Sequence, residues 1–279
     1  MNSNTIPTDL QKVPAFPPVA VKLLRLLSNP DVEVAEVAEV ISNDVKLTAR
    51  LLQFVNSPLI GIGRPIGNVG QAIALIGFDR TRQIAAMNAT AAYAKGAANS
   101  KELESCWRHS VATAILAEDI AKSCEVFTKA AFTVGLLHDI GRLGLILAYP
   151  REYEQIVRGA TAGCEGLLDF EREELGMDHA EAGRLLAEAW ELPEEFRAVA
   201  GRHHDPCEGI ELDLLRIVHV SCRLADVLGY GMVPPQTGCS VAAVLGELPP
   251  HARKRLLKDP EELCSEVETR ISAVVGSLG

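Results

Sequence analysis

The stretch Ala131-Phe-Thr-Val-Gly-Leu-Leu-His-Asp-Ile-Gly-Arg142 decides how the rest of the chain is read. Its first seven residues are apolar or small on nearly every helical face, which predicts a buried helix. That helix ends in His138-Asp139. Either residue alone has an ordinary explanation: Asp139, for example, could simply cap the helix that begins after Gly141. Together, at the end of an apolar helix, they are costly to bury unless both are paired or bound to a cation. The doublet needs partners.

The candidates are His109, His179, His203 and His204, imidazoles on separate predicted helices that a bundle could bring together. Taken singly, each is unremarkable. His109 sits near the start of a long helix and could be a surface or half-buried residue; His179 opens a helix after Asp178; His203-His204 lie at a helix C-terminus, which favours cations. Together with His138 and Asp139 they form a set of imidazoles and a carboxylate, which suits Fe, Mn, Ni or Zn better than Ca or Mg. Asp139 could bridge two such ions. A pair roughly 3.5–4 Å apart can hold a hydroxide for in-line attack on phosphorus, so the chemistry within reach is phosphoester hydrolysis.

Composition narrows the alternatives. The chain has 279 residues, 48% apolar and 23% charged, typical of a globular protein with a sizeable core rather than a disordered or fibrous one. A formal charge of −10 argues against general nucleic-acid binding, which needs a basic footprint. No run approaches 18 consecutive apolar residues, so no membrane partner is expected. The N-terminus lacks a basic region followed by an apolar one. The seven cysteines are scattered, without a C-x-x-C pair, as expected of reduced thiols in a cytoplasmic protein.

The pattern is helical almost throughout, and no stretch sustains the two-residue alternation of a strand, so the expected fold is all-α. An extended lead-in precedes helices near 21–27, 34–41, 45–55, 69–76 and 79–95. The glycine-rich loop Gly61-Ile-Gly-Arg-Pro-Ile-Gly67 has the wrong spacing for a dinucleotide fingerprint and reads as an interhelical turn. Residues 1–99 carry net charge +2 and residues 100–279 net −12. The small polar segment 95–100 coincides with that step and reads as a linker. Further helices are expected near 101–123, 128–138, 142–148, 150–161, 165–175, 179–191, 194–203 and 211–229. The resulting division is 1–99, 100–229 and a C-terminal helical extension, 230–279.

Leu136-Leu-His-Asp-Ile-Gly-Arg142 resembles the signature of the HD superfamily, named for its metal-binding His-Asp doublet. The N-terminal half is similar to the HDOD domain through Phe16-Pro-Pro-Val19, Val40-Ile-Ser-Asn-Asp44, Phe54-Val-Asn-Ser57 and Gln71-Ala-Ile-Ala-Leu-Ile-Gly77. In the second half, Phe170-Glu-Arg-Glu173, Gly176-Met-Asp-His-Ala-Glu-Ala-Gly183 and Trp190-Glu-Leu-Pro193 extend the likeness, which covers about residues 13–229. The resemblance implies an N-terminal helical bundle packed on a C-terminal HD-like bundle, in bacterial signal transduction, usually without hydrolase activity. It also implies a metal set of His109, His138, Asp139, His179, His203 and His204. One site would use His109, His138 and Asp139; the other, Asp139, His179 and His203 with His204 nearby. The last carboxylate of the first site is replaced by Cys222, and Asp226 lies one helical turn further on, too far for a simple exchange. Arg142 stands where the enzymes commonly have Lys.

The resemblance thus leaves three functions open. The first is a regulatory module that binds a signalling protein or a nucleotide-type ligand, with any metal structural or sensory. The second is an active metal-dependent phosphohydrolase or phosphodiesterase, with His138 and Asp139 at its centre. The third is a purely structural interaction protein. The loss of the carboxylate at position 222 favours the first.

Overall fold

The apolar patterns form fifteen α-helices, with no strand, among the described residues of the computed structural model. Those residues are 7–276 except 59, 95–99, 128, 161–163, 206–211, 236–237 and 257–258. The lead-in holds one 3-10 turn, Leu10–Lys12. Helices α1 (Pro18–Leu26), α2 (Val34–Ser42), α3 (Val45–Val55) and α4 (Val69–Ala94) follow. Asp44 caps α3 as expected, its carboxylate accepting from the Leu47 N–H at 2.9 Å. The two helices expected between 69 and 95 form one element, bent where Gly77 adopts φ 78°, a conformation that favours glycine. The glycine-rich loop joins α3 to α4. Asn56 holds it, accepting from the Ile66 N–H at 2.7 Å and donating to the Ile66 carbonyl at 2.8 Å.

The expected linker lies outside the described residues except for Ser100, whose hydroxyl caps α5 (Lys101–Cys124). Then come α6 (Ala131–Leu137), α7 (Ile140–Ala148), α8 (Pro150–Gly159), α9 (Cys164–Leu175), α10 (His179–Ala189), α11 (Glu194–Arg202) and α12 (Leu214–Ala225). The helix expected to run to residue 229 ends its α-helical course at Ala225. It continues as a π-helical turn, Asp226–Tyr230, in which Gly229 adopts φ 91°. Helices α13 (Val241–Leu245), α14 (Pro250–Leu256) and α15 (Pro260–Gly276) complete the chain.

Two apolar cores result. The smaller gathers Leu23, Val37, Ile41, Leu51, Val55 and Ile73 from α1–α4. The larger runs through α5–α12 and takes in Val244 of α13, Ala252 of α14 and Val267 of α15. Helices α1 and α4 serve both: Leu23 and Ala85 face the first core, Leu24 and Ala86 the second. The fold is therefore all-α, an N-terminal helical bundle packed on a C-terminal HD-like bundle. Arg82 ties them together, its buried guanidinium donating to the carbonyls of Leu27 and, at 3.2 Å, Lys129.

The segment Ala131–Ala148 has a mean hydropathy of 1.4 over 18 residues, enough by length and composition to cross a membrane, yet it is 89% buried within the fold. It is also broken at His138-Asp139 into α6 and α7. Core burial accounts for its apolarity.

Two local features bring α10 to the doublet. Helices α7 and α10 meet backbone to backbone: a Cβ on Gly141 would fall 2.0 Å from the His179 carbonyl oxygen and 2.2 Å from the Gly183 nitrogen. Asp178 caps α10 by accepting from the Glu181 N–H at 2.8 Å while pairing with Arg172, so His179 becomes its first helical residue. Gly141→Ala is therefore expected to cost about 3 kcal/mol or more, since rigid backbone must separate, and an unfolding midpoint equal to wild type in denaturant would contradict the close crossing. Asp178→Ala should lose about 1–2 kcal/mol through the cap; the same titration measures it.

Candidate metal centre

Six side chains from five helical segments converge on one carboxylate. Helix α5 is buried over most of its length because α6, α12, α14 and α15 pack around it. His109 is consequently fully buried, not on the surface or half-buried as its position alone allowed. His138 and Asp139 fill the break between α6 and α7, His179 opens α10, His203 ends α11 with His204 after it, and Cys222 projects from α12. The side chain of Asp139 makes no cap to α7, so the simple capping role is excluded. Its carboxylate turns to the imidazoles instead.

The Nε2 atoms of His179 and His203 each stand 3.4 Å from Asp139 Oδ1. Those of His138 and His109 stand 3.7 and 3.8 Å from Oδ2. Cys222 Sγ lies 3.5 Å from His109 Nε2, and His204 Nε2 lies 2.8 Å from His179 Nε2. Two ligand sets follow, each with its donor atoms within 4.8 Å of one another: Asp139, His179, His203 and His204, and His109, His138 and Cys222.

The far nitrogens fix the tautomers. Nδ1–H of His138 donates to the Gly135 carbonyl at 2.6 Å, that of His179 to Glu171 Oε2 at 2.7 Å, and that of His203 to the Val199 carbonyl at 3.1 Å. With Nδ1–H so engaged, the Nε2 atoms of His138 and His203 face Asp139, while that of His179, also near Asp139, accepts from Arg142. This is the arrangement of metal-ligating histidines, whose second nitrogen is held by a carboxylate or carbonyl. His109 differs: its Nδ1 lies 3.4 Å from Asp226 Oδ1. The π-helical turn thus brings Asp226 to the far side of the His109 ring, not into the place of Cys222.

Burial pushes the His138 and His109 rings below their ordinary range, which keeps them neutral and their lone pairs available. Burial alone would raise Asp139, but the Arg142 guanidinium and the His138 and His179 rings outweigh it and hold the carboxyl well below the usual carboxylate range. Even so, both oxygens of Asp139 and the Nε2 atoms of His138 and His203 are buried without a hydrogen-bond partner. Such groups are costly unless something else satisfies them. Ligand atoms around a tetrahedral ion with bonds of about 2.0–2.3 Å stand roughly 3.3–3.8 Å apart. Most separations found here fall in that range, so the residues fit a divalent transition ion.

Three further participants received no role from the sequence. Glu171 of α9 is fully buried; Oε2 also accepts from the His179 backbone N–H at 2.8 Å, and Oε1 accepts from the Tyr153 hydroxyl at 2.5 Å. Burial would raise its pKa, but the His179 ring, Arg142 and Tyr153 together lower it. Arg142, also buried, brings Nη1 to 3.1 Å from Asp139 Oδ2 and donates from Nη2 to His179 Nε2 at 2.9 Å. A signal for Glu171 existed: it shares the buried face of α9 with Leu167 and Leu168, and a carboxylate on an apolar stripe needs a partner.

Comparison with known proteins agrees with this architecture. A crystal structure of an HDOD domain protein with unknown function from Geobacter sulfurreducens superposes with a TM-score of 0.74 at 24% identity, over 96% of this chain and 92% of that one. A protein named as a candidate phosphohydrolase from Shewanella amazonensis gives 0.64 at 21% identity, over 97% of both chains. These likenesses establish the fold. An uncharacterized protein of Treponema pallidum is 26% identical over 208 residues, which span 70% of this chain but only 38% of that relative. The family model of the HDOD domain matches residues 13–206, more than half of the sequence. The chain belongs to the HDOD domain family.

Proposed function

We propose that this protein is a regulatory signalling module that binds a divalent transition metal (Fe, Mn, Ni or Zn) at the histidine–aspartate cluster and acts by binding rather than by turnover. The observation that carries the metal reading is the set of three buried imidazoles whose Nδ1–H groups are held by protein acceptors while each Nε2 lies 3.4–3.7 Å from Asp139. A preset tautomer pays in advance part of the ordering cost of coordination. The bound ion would supply charge to hold the helices together or to attract an anionic ligand. The chain's own residues orient it: Glu171 fixes His179, the Gly135 carbonyl fixes His138, and the Val199 carbonyl fixes His203.

Two features support binding over catalysis. Cys222 stands where the related hydrolases carry a carboxylate, and a thiol does not reproduce the geometry of a hard oxygen ligand. Arg142 closes on Asp139 and His179, the region where a hydrolytic water would be activated. The partner is a signalling protein or a nucleotide-type ligand, in the cytoplasm; the acidic second half of the chain disfavours nucleic acid at large. A second reading, metal-dependent phosphohydrolysis, is favoured by the His-Asp doublet itself and by the name of the Shewanella protein.

Elemental analysis and an aryl phosphodiester assay with Mn or Fe supplied, run on wild type and His138→Ala, separate the readings. The expected result is metal in wild type, at least tenfold less affinity in His138→Ala, and hydrolysis no faster in wild type than in the variant. Turnover that depends on His138 would establish the second reading instead. Activity that emerges only in Cys222→Asp would show that the lost carboxylate silences the site.

A further inference from the structure

A second concavity lies away from the histidine cluster, at the seam between the two bundles. Its volume is about 680 Å³, and Ala15, Phe16, Val21, Leu26 and Trp190 give it a largely apolar lining. Phe16 and Trp190 pack with the larger core and Leu26 with the smaller one. Cavities of roughly 300–1,000 Å³ at such boundaries, apolar with a few polar groups at the edge, are the usual form of a small-molecule site.

The aromatic wall is set in advance. Phe16 and Trp190 stack with ring centroids 5.5 Å apart, and Tyr93 meets Trp190 edge-on at 5.3 Å. Phe16 and Tyr93 are buried, whereas Trp190 remains half-buried at the cavity. Two packed rings thus hold the indole in place while part of it stays open to a ligand.

The charge beside this wall is simple. Lys22 and Arg25 also line the cavity, three residues apart on α1 and therefore on one helical face. Arg25 is already matched: its Nε donates to the Glu191 carbonyl at 2.7 Å and its Nη2 to Glu191 Oε2 at 2.5 Å. Lys22 is exposed and has no ion-pair partner among the described residues. The site therefore offers one ammonium at the rim of an apolar space, in the half of the chain whose net charge is positive. Its complement is a molecule with an apolar body and one negative charge. A nucleotide fits less well, because its several charges and the polar edges of its base would meet a mostly apolar lining.

We propose that this cavity binds a small amphipathic organic monoanion, such as an aromatic carboxylate, with its apolar body against Trp190, Val21 and Leu26 and its acidic group at Lys22. The proposal goes beyond the metal reading and does not depend on it.

The test titrates the full chain with two probes of matched shape, naphthylacetate and its neutral counterpart naphthylacetamide, by calorimetry and by tryptophan fluorescence, in wild type, Lys22→Glu and Ala15→Trp. Both substituted positions are exposed, so the fold is expected to survive. Wild type should bind one naphthylacetate per chain, more tightly than the amide. Lys22→Glu should weaken the acid by about tenfold or more and leave the amide within about twofold, since only the charged probe feels the reversal. Ala15→Trp, which fills the cavity, should abolish both. Equal binding of acid and amide, unaffected by Lys22→Glu, would reduce the site to an apolar patch and overturn the proposal. So would failure of wild type to bind the acid, or binding that survives Ala15→Trp. ATP bound in wild type and lost in Ala15→Trp would assign the cavity to a nucleotide instead, and self-association that Ala15→Trp abolishes would assign it to a second copy of the chain. Each of these results leaves the metal content of the histidine cluster, and the reading built on it, untouched.

Discussion

The ion pair between Asp139 and Arg142 is the constraint around which this protein is organised. Both groups are fully buried, at opposite ends of the first turn of α7. Removing either partner from such a pair leaves a charge in the core, typically at a cost of about 3–5 kcal/mol. The pair alone does not satisfy them, because both carboxylate oxygens still lack a directed hydrogen bond. The imidazoles of His109, His138, His179 and His203 crowd the same few ångströms, with neighbouring ring centroids 4.8–5.5 Å apart. Arg142 supplies donors to His179 and lies against one Asp139 oxygen, and the remaining buried lone pairs and negative oxygen are costly unless further positive charge satisfies them.

The fold delivers these groups through backbone geometry rather than through long side chains. Gly141 lets α7 press against α10, which brings the first residue of α10 to Asp139. Burial of α5 on several sides carries His109 inward, and the turn after α12 sets Asp226 behind its ring. Glu171 and Tyr153 close the far side of His179 from α9 and α8. The smaller N-terminal core contributes none of these ligands. It is joined to the site-bearing bundle through α1, α4 and Arg82.

Much of this was legible in the sequence. Helix periods, proline stops and the cap at Asp44 predicted most elements to within a few residues, because local signals act within one turn. The His-Asp doublet at the end of an apolar run implied a buried, partnered site, and its imidazoles do converge. What failed was information that lies between elements. The burial of His109 depends on four helices packing around α5, and the π-helical turn at 226–230 has no periodic signature of its own. Whether Asp139 caps a helix or faces a cluster is decided by its neighbours in space. Arg142 was visible only as a departure from the lysine of related enzymes. Its hold on the His179 lone pair needs the α7–α10 crossing to be seen.

The central claim, that a divalent transition ion satisfies the preset cluster around Asp139, is tested most directly by anomalous diffraction. Crystals of metal-loaded protein measured on both sides of the ion's absorption edge should show anomalous density among the imidazoles that face Asp139. No anomalous density there in crystals grown with saturating metal would contradict it.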